Sequence, residues 1–217
     1  MTRNNPVRVV PSTDTVDGAG VVRNVPGNAF DKHSSPNPAV IYLMKTFHEG
    51  VTGALQSVQP DSILDVGCGE GRTTTELASA IDSRFVGVDL ELSVVKQAAE
   101  TATNANFANA SAYQLPFRDS SFDLVLATEM LEHLDRPLRA VKEMCRVARR
   151  TVVVTVPHEP WWRLANVARG RYLGHFGNTP GHVQHWSKRS LETYLRHQVG
   201  SVSVSTVGLW LLAVVDV

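Results

Sequence analysis

Two carboxylates and an imidazole fall within five residues in the run Glu129-Met130-Leu131-Glu132-His133. If this run opens a helix, positions i, i+3 and i+4 share one face. Glu129, Glu132 and His133 then converge, while Met130 and Leu131 turn to the core. Two carboxylates beside an imidazole can hold a divalent cation, and oxygen-rich donors favour Mg2+ or Mn2+. A cation held this way can bind two neighbouring hydroxyls and lower the pKa of one. Two other readings stay open at this point. His133 can work as a metal-free base with Glu132 beside it, or the run can serve packing and capping alone. His158 follows an apolar run at 151–156. It is a third candidate to face a substrate, or else a residue that caps a loop.

These side chains need a frame that brings strand ends together. The run Ile63-Leu64-Asp65-Val66-Gly67-Cys68-Gly69-Glu70-Gly71-Arg72-Thr73 supplies its centre. An apolar stretch ends in a glycine-rich turn, and helical residues follow. Glycine there permits positive φ and close approach of a ligand to the backbone, and free N–H groups at a helix start attract polar or anionic groups. About twenty residues on, Phe85-Val86-Gly87-Val88-Asp89 reads as a second strand ending in an acid suited to ribose hydroxyls. Further strands are expected near 106–108, at 122–127 and at 151–156, with helices over about 71–81, 92–102 and 137–148. This β-α-β-α order implies a parallel sheet covered on both faces, with ligands at the carboxyl ends of its strands. Asp65, Asp89, Ser111 and Glu129 all belong to that edge.

The turn departs from the dinucleotide-dehydrogenase pattern, since position 72 is Arg rather than Gly. It resembles instead the first motif of class I S-adenosylmethionine (SAM)-dependent methyltransferases, (D/E)-x-G-x-G-x-G, through Asp65, Gly67, Gly69 and Gly71. Gln114-Leu115-Pro116-Phe117 with Ser121-Phe122-Asp123-Leu124-Val125 is similar to the "LPF…sFD" segment of the type 11 members of that family, and Leu131-Glu132-His133-Leu134 to their "LEHL". The resemblance covers roughly residues 60–160. It implies a Rossmann-like α/β fold, with a mostly parallel seven-stranded sheet, an antiparallel last strand and helices on both faces. It implies SAM as methyl donor, with Asp65, Gly67, Cys68, Gly69, Asp89, Leu90 and Glu129 among the contacts. Ser111 and Ala112 stand where the family carries an adenine-binding acid, so a hydroxyl or a backbone N–H takes that place. An N-terminal segment often covers the SAM site in this family, so Lys32 and Asn37 could meet the methionine carboxylate; a solvated Lys and a helix-capping Asn are the plainer readings. The E-x-x-E-H run further resembles the metal site of plant small-RNA 2′-O-methyltransferases and of ubiquinone-pathway O-methyltransferases. In the small-RNA enzymes another histidine stands four residues before a tryptophan that opens a helix. Here that spacing falls on His182, ahead of Trp186.

The flanks are read from composition and periodicity. Residues 1–26 show no sustained period and are expected to be a mobile arm, with a lid or the strap of a homodimer as the functional alternative. Residues 27–217 are expected to form one domain. Val40, Ile41, Met44, Phe47, Val51 and Leu55 recur at helical steps, giving a cap helix over about 37–58. Residues 158–186, rich in Trp and His, are too long for a simple connection and read as a substrate-facing insertion, helical around 162–171. A Ser-capped helix at 187–197 and two β-rich runs about Gly208 finish the chain. Lys and Arg equal Asp and Glu at 21 each, which counts against a nucleic-acid surface. No run reaches the ~18 apolar residues of a membrane span. The two cysteines, Cys68 and Cys145, lie far apart and suit a reducing compartment, and no apolar signal core stands at the start. The expected setting is cytoplasmic, with no membrane partner.

The function expected from all this is O-methylation of a small hydroxyl-rich acceptor. A sugar, oligosaccharide or glycosylated metabolite fits best, since Trp residues in the insertion suit stacking on sugar rings. The competing readings are C- or O-methylation of a quinone or phenol, RNA methylation, and a SAM-binding protein without catalysis.

Overall fold

Alternation along the strands decides the layers. Ile63, Leu124, Leu126, Val153 and Leu212 pack on one side of a sheet, while Leu64, Val125, Ala127, Val152, Val154 and Leu211 pack on the other. A strand buried on both faces reads as a continuous apolar run, and Ser62–Val66 and Phe122–Ala127 are buried throughout. The computed structural model describes residues 37–170, 172–199 and 201–217. The expected arm at 1–26, and Lys32 with it, lie outside the described residues.

The strands are β1 (Ser62–Val66), β2 (Arg84–Asp89), β3 (Asn106–Asn109), β4 (Phe122–Thr128), β5 (Ala148–Pro157), β6 (Val202–Val207) and β7 (Trp210–Asp216). They form one seven-stranded sheet in the order β3-β2-β1-β4-β5-β7-β6. The pairs from β3 to β5 are parallel, and β7 runs antiparallel to both β5 and β6. β5 is longer than its apolar run predicts: it begins at Ala148, since Phe122 of β4 pairs with Ala148 before the register shifts.

The helices are α1 (Pro38–Val58), α2 (Arg72–Ala80), α3 (Leu92–Thr101), α4 (Pro137–Val147), α5 (Trp161–Ala168) and α6 (Lys188–Val199). α1 begins with Pro38 at its first turn, and Asn37 Oδ1 accepts a hydrogen bond from the Ala39 N–H at 2.9 Å. Asn37 is thus a helix cap. Val40, Met44, Phe47, Val51 and Leu55 form the buried stripe of α1, and Phe47 meets Trp210 of β7 with ring centroids 4.8 Å apart. α6 opens as expected on a serine, with Ser187 Oγ accepting from the Ser190 N–H.

Two motif segments are fastened to the frame at a distance from the ligand edge. Asp123 Oδ2 accepts from the Asp61 and Ser62 N–H groups and from Ser62 Oγ, tying the start of β4 to the start of β1. Burial pushes its carboxyl up, but the Ser62 hydrogen bonds and the Arg149 charge outweigh that and hold it below the usual value. Arg146 of α4 donates to the Leu115 and Phe117 carbonyls, while Glu143 accepts the Leu115 N–H. The Leu115–Phe117 segment is therefore pinned to α4 as a loop support.

Candidate active site

The glycine turn joins β1 to α2 at the carboxyl edge of the sheet. Gly67, Gly69 and Gly71 all have positive φ, from 53° to 78°. The three differ in what surrounds them. A Cβ at Gly67 would strike Met130, and one at Gly71 would strike Phe107 and Ala98. Among the described residues, a Cβ at Gly69 would meet nothing within 4 Å. Two glycines are needed for internal packing, and no described residue closes over Gly69. The Gly67 and Cys68 N–H groups both donate to the Val88 carbonyl, and the Gly69 N–H donates to Asp89 Oδ2 at 2.9 Å. β2 thus holds the turn in place.

Asp89 Oδ1 accepts from the Glu91 N–H, so each carboxylate oxygen takes one backbone donor. A carboxylate has about four lone-pair sites, which leaves acceptor capacity for two hydroxyls. Asn109 Nδ2 donates to the Asp89 and Leu90 carbonyls and fixes this corner, where the Leu90 side chain is exposed. Ser111 and Ala112 are half-buried in the next loop, and Ser111 Oγ accepts from the Tyr113 N–H. An open cradle at Gly69, a carboxylate with spare lone pairs and an exposed apolar side chain beside it suit a nucleoside with a polar tail. SAM is such a molecule.

Asp65 lies beneath this surface. It is fully buried, and Thr74 Oγ1 donates to its Oδ2 at 2.6 Å. Its Oδ1 has no hydrogen-bond partner among the described residues. Burial raises its pKa to about 6 against the pull of the Thr74 bond. Asp65 therefore braces the turn from below, one residue on the strand side and Thr74 on the helix side. Cys68 is also turned inward, and burial pushes its thiol far above the ordinary range. Its backbone N–H and carbonyl are held by Val88 and Gly71.

The second half of the site differs from the helical start that its spacing predicts. Glu129 has φ 50°, and only Leu131–His133 form a short 3-10 turn. The change of backbone direction sends Glu129 elsewhere: its Oε1 accepts from Trp210 Nε1 on β7 at 2.9 Å. Glu132, His133 and His182 come together instead, with ligand atoms all within 4.8 Å of one another. Glu129 falls outside this group. Glu132 and His182 are buried, and the two imidazoles stand edge to face with centroids 5.0 Å apart.

His182 arrives from far along the chain because the insertion is stitched to the 3-10 turn. The Val183 and Gln184 N–H groups both donate to the Glu132 carbonyl, and Gln184 Nε2 donates to the Leu134 carbonyl. Trp162 of α5 stacks on His182 at 6.4 Å and 23°, while its Nε1 donates to Thr179 Oγ1. His133 Nδ1 lies 3.1 Å from the Gly181 carbonyl. A carbonyl only accepts, so Nδ1 carries the proton, and Nε2 of the neutral ring is left with the lone pair. His185 is occupied differently, with Nε2 on Asn178 Oδ1 at 2.8 Å.

His158 is half-buried at the end of β5, its N–H on the Leu209 carbonyl. Burial and the nearby Lys188 charge lower its pKa, so it is neutral at pH 7. It does not belong to the three-residue group. The insertion's tryptophans also depart from expectation. Trp162 and Trp186 are buried and only Trp161 is exposed, because Trp162 packs on Trp210 of β7 and Trp186 on Tyr194 of α6, in core clusters on opposite faces of the sheet.

The sheet order, the glycine cradle and the acid at the end of β2 define a class I SAM-dependent methyltransferase fold. Residues 64–155 match the family model described as "Methyltransferase domain". Among curated proteins, this chain is 38% identical over 101 residues to the O-methyltransferase rstn1 of Aspergillus nomiae, covering 44% of this chain and 45% of that one. It is 29% identical over 164 residues to the chloroplastic tocopherol O-methyltransferase of Arabidopsis thaliana, covering 66% and 47%. The chain thus spans less than half the length of these relatives. Among solved structures, the methyltransferase domain of bacterial CtHen1-CN superposes with a TM-score of 0.64 at 22% identity, covering 81% of this chain and 100% of that one. Magnesium protoporphyrin IX methyltransferase of Synechocystis PCC 6803, solved with SAH, gives 0.60 at 14% identity, with 84% and 87% covered. At these identities the likeness concerns the fold.

Proposed function

We propose that the protein transfers the methyl group of SAM to a hydroxyl of a small acceptor, with a divalent cation held by Glu132, His133 and His182. The observation that carries this reading is the convergence of those three side chains within 4.8 Å at the ligand edge. The donor set contains two imidazoles and one carboxylate, with Glu129 engaged by Trp210. It is richer in nitrogen than the E-x-x-E-H run alone suggests, which moves the preference from Mg2+ to Mn2+. The cation supplies a lowered hydroxyl pKa when bound.

The chain's own residues do the rest. Gly69 and Asp89 seat the methyl donor, and the brace from Asp65 to Thr74 holds the turn that carries it. The Gly181 carbonyl keeps His133 in the tautomer whose Nε2 is a donor atom. Trp162 walls off His182. In the reaction the acceptor oxygen forms a bond to the methyl carbon, the carbon–sulfonium bond breaks, and S-adenosylhomocysteine leaves. Neutral His158 is a group able to take up the acceptor's proton.

A vicinal diol of a saccharide or glycosylated metabolite suits a cation that holds two neighbouring hydroxyls. A phenolic acceptor is the second reading, favoured by the relative named tocopherol O-methyltransferase and by the burial of Trp162 and Trp186. Labelled SAM with parallel panels of sugar diols and catechols, in EDTA and in Mn2+, tests both. Turnover that needs Mn2+ supports the metal reading, and the panel that turns over names the class. Full activity in EDTA overturns the metal.

A further inference from the structure

From Pro160 to Leu191 the chain has no Asp or Glu and five Lys or Arg residues, although the sequence as a whole is balanced in charge. The same segment carries six exposed large apolar residues: Trp161, Leu164, Val167, Leu173, Phe176 and Val183. Trp161 is 57% exposed and Phe176 80%. On α5, Trp161, Leu164 and Val167 follow one another at three-residue steps on the outer side, while Trp162 and Asn166 turn inward. The inward side is firmly seated. Besides the Trp162–Thr179 bond, Asn166 Nδ2 donates to the Gly177 carbonyl at 2.9 Å. Arg163 Nε donates to the Phe176 carbonyl and fixes the turn that presents the phenyl ring. Phe176 is held there at φ 50°, a left-handed conformation that bulky residues avoid and that persists only where the surroundings impose it.

We propose that the outer face of α5 and the turn Leu173–Phe176 form a ridge that docks on an anionic lipid bilayer. Trp161, Leu164, Leu173 and Phe176 enter the headgroup–acyl boundary, with Arg163 and Arg169 at phosphate level. Glu159, which lies beside Arg163, has both carboxylate oxygens buried; an amphipathic surface with Trp, Phe and Leu on one side, basic residues around it and no acid between Pro160 and Leu191 is the pattern of interfacial binding, and the charge complements anionic lipid. A guanidinium has five donors, so the single bond of Arg163 Nε to the Phe176 carbonyl leaves its terminal nitrogens for phosphate. Single-stranded RNA would need a cationic groove lined with stacking rings. Here aliphatic side chains outnumber the aromatic ones, which favours lipid. No described helix is long and apolar enough to cross a membrane, so the contact is with the surface. The proposal does not rest on the metal or on the acceptor.

Intrinsic fluorescence gives a direct test. Trp162, Trp186 and Trp210 are buried already, so a response to lipid comes from Trp161. The full chain is mixed with phosphatidylcholine vesicles with and without phosphatidylglycerol. The expected result is co-sedimentation and a blue shift with the anionic vesicles, both reduced by high salt, and loss of the shift in Trp161→Phe. Phe176→Gly relieves the positive φ, so it should keep or raise the melting temperature while weakening vesicle binding about tenfold or more. No binding to anionic vesicles overturns the proposal. So does unchanged binding in Phe176→Gly, or preferential capture of a single-stranded oligonucleotide by the same face. A dimer in solution that Phe176→Gly dissociates would assign the ridge to self-association and also overturn it.

Discussion

His133 donates its Nδ1 proton to the carbonyl of Gly181, 48 positions along the chain. That bond joins the short turn after β4 to the loop that delivers His182 and orients the His133 ring. Replacing His182 by Ala should lower Mn2+ affinity by at least about tenfold, as losing one of three ligands exceeds the effect of an outer-shell change. His185→Ala should leave it unchanged, since His185 is committed to Asn178. Calorimetric titration of Mn2+ into the two variants decides it, and equal losses would remove His182 from the group.

Glu129 and Glu132 should separate in the same measurement. Glu129→Gln keeps an acceptor for Trp210 Nε1 and should hold Mn2+ affinity within about threefold. Glu132→Gln removes the carboxylate of the group and should cost about tenfold or more. The reverse order would show that Glu129 leaves Trp210 to bind the ion.

The pH dependence of stability should carry the mark of Asp65. Its folded pKa of about 6 lies above the ordinary aspartate value of 3.8, so between these values the folded state holds more protons than the unfolded one. Stability should therefore fall as pH rises from about 4 to about 6 and level off above. The loss is about 3 kcal/mol at most. Asp65→Asn keeps an acceptor for Thr74 and has no charge to bury. Its melting temperature without SAM should exceed that of the parent at pH 7.5, and the two should meet near pH 4. A gap that persists at pH 4 would detach the effect from this carboxyl.

Thr74 tests the brace from the other side. Thr74→Val leaves Asp65 Oδ2 buried without its donor, at a cost of about 1–3 kcal/mol in chemical denaturation. Thr74→Ser should recover most of it. Equal losses in both variants would point to packing of the methyl group rather than the hydroxyl.

Gly69 and Gly71 should respond oppositely. Gly69→Ala adds a methyl where nothing lies within 4 Å, so it should cost only the ~1–2 kcal/mol of a left-handed residue. SAM affinity should nonetheless fall about tenfold or more, 1.4 kcal/mol. Gly71→Ala drives a methyl into Phe107 and Ala98 and should lower stability more. Thermal shift with and without SAM separates the two, with Asp89→Ala as the control that loses the SAM-induced rise. An unaltered SAM shift in Gly69→Ala would move the cofactor off the cradle.

Local signals in the sequence carried the frame. β1, β2 and α2 lie within a residue of where periodicity and the glycine turn put them, because both faces of the sheet demand apolar residues and the turn demands positive φ. What escaped was set across the sheet. Glu129 is drawn away by Trp210, 81 positions later, and nothing near Glu129 announces that β7 inserts beside β5. Asn37 had two readings, and the Ala39 N–H gives it the plainer one. The inward turn of Trp162 and Trp186 depends on how α5 and α6 pack, which a Trp-rich stretch does not encode. The Asp65–Thr74 bond did have a signal: an acid inside a buried strand needs a donor, and the first turn of the next helix offers one.

The place of β7 also bears on how the chain reaches its folded state during synthesis. β6 joins the sheet only through β7, and β7 is made last of the seven. Until residues 210–216 have emerged, the outer edge of β5 has no partner, and its apolar run of Val152, Val153 and Val154 is exposed along an open ladder. Such edges recruit other strands. A nascent chain paused before residue 210 should therefore be the species that aggregates or engages a chaperone, and the emergence of residues 210–216 is the step that closes the sheet.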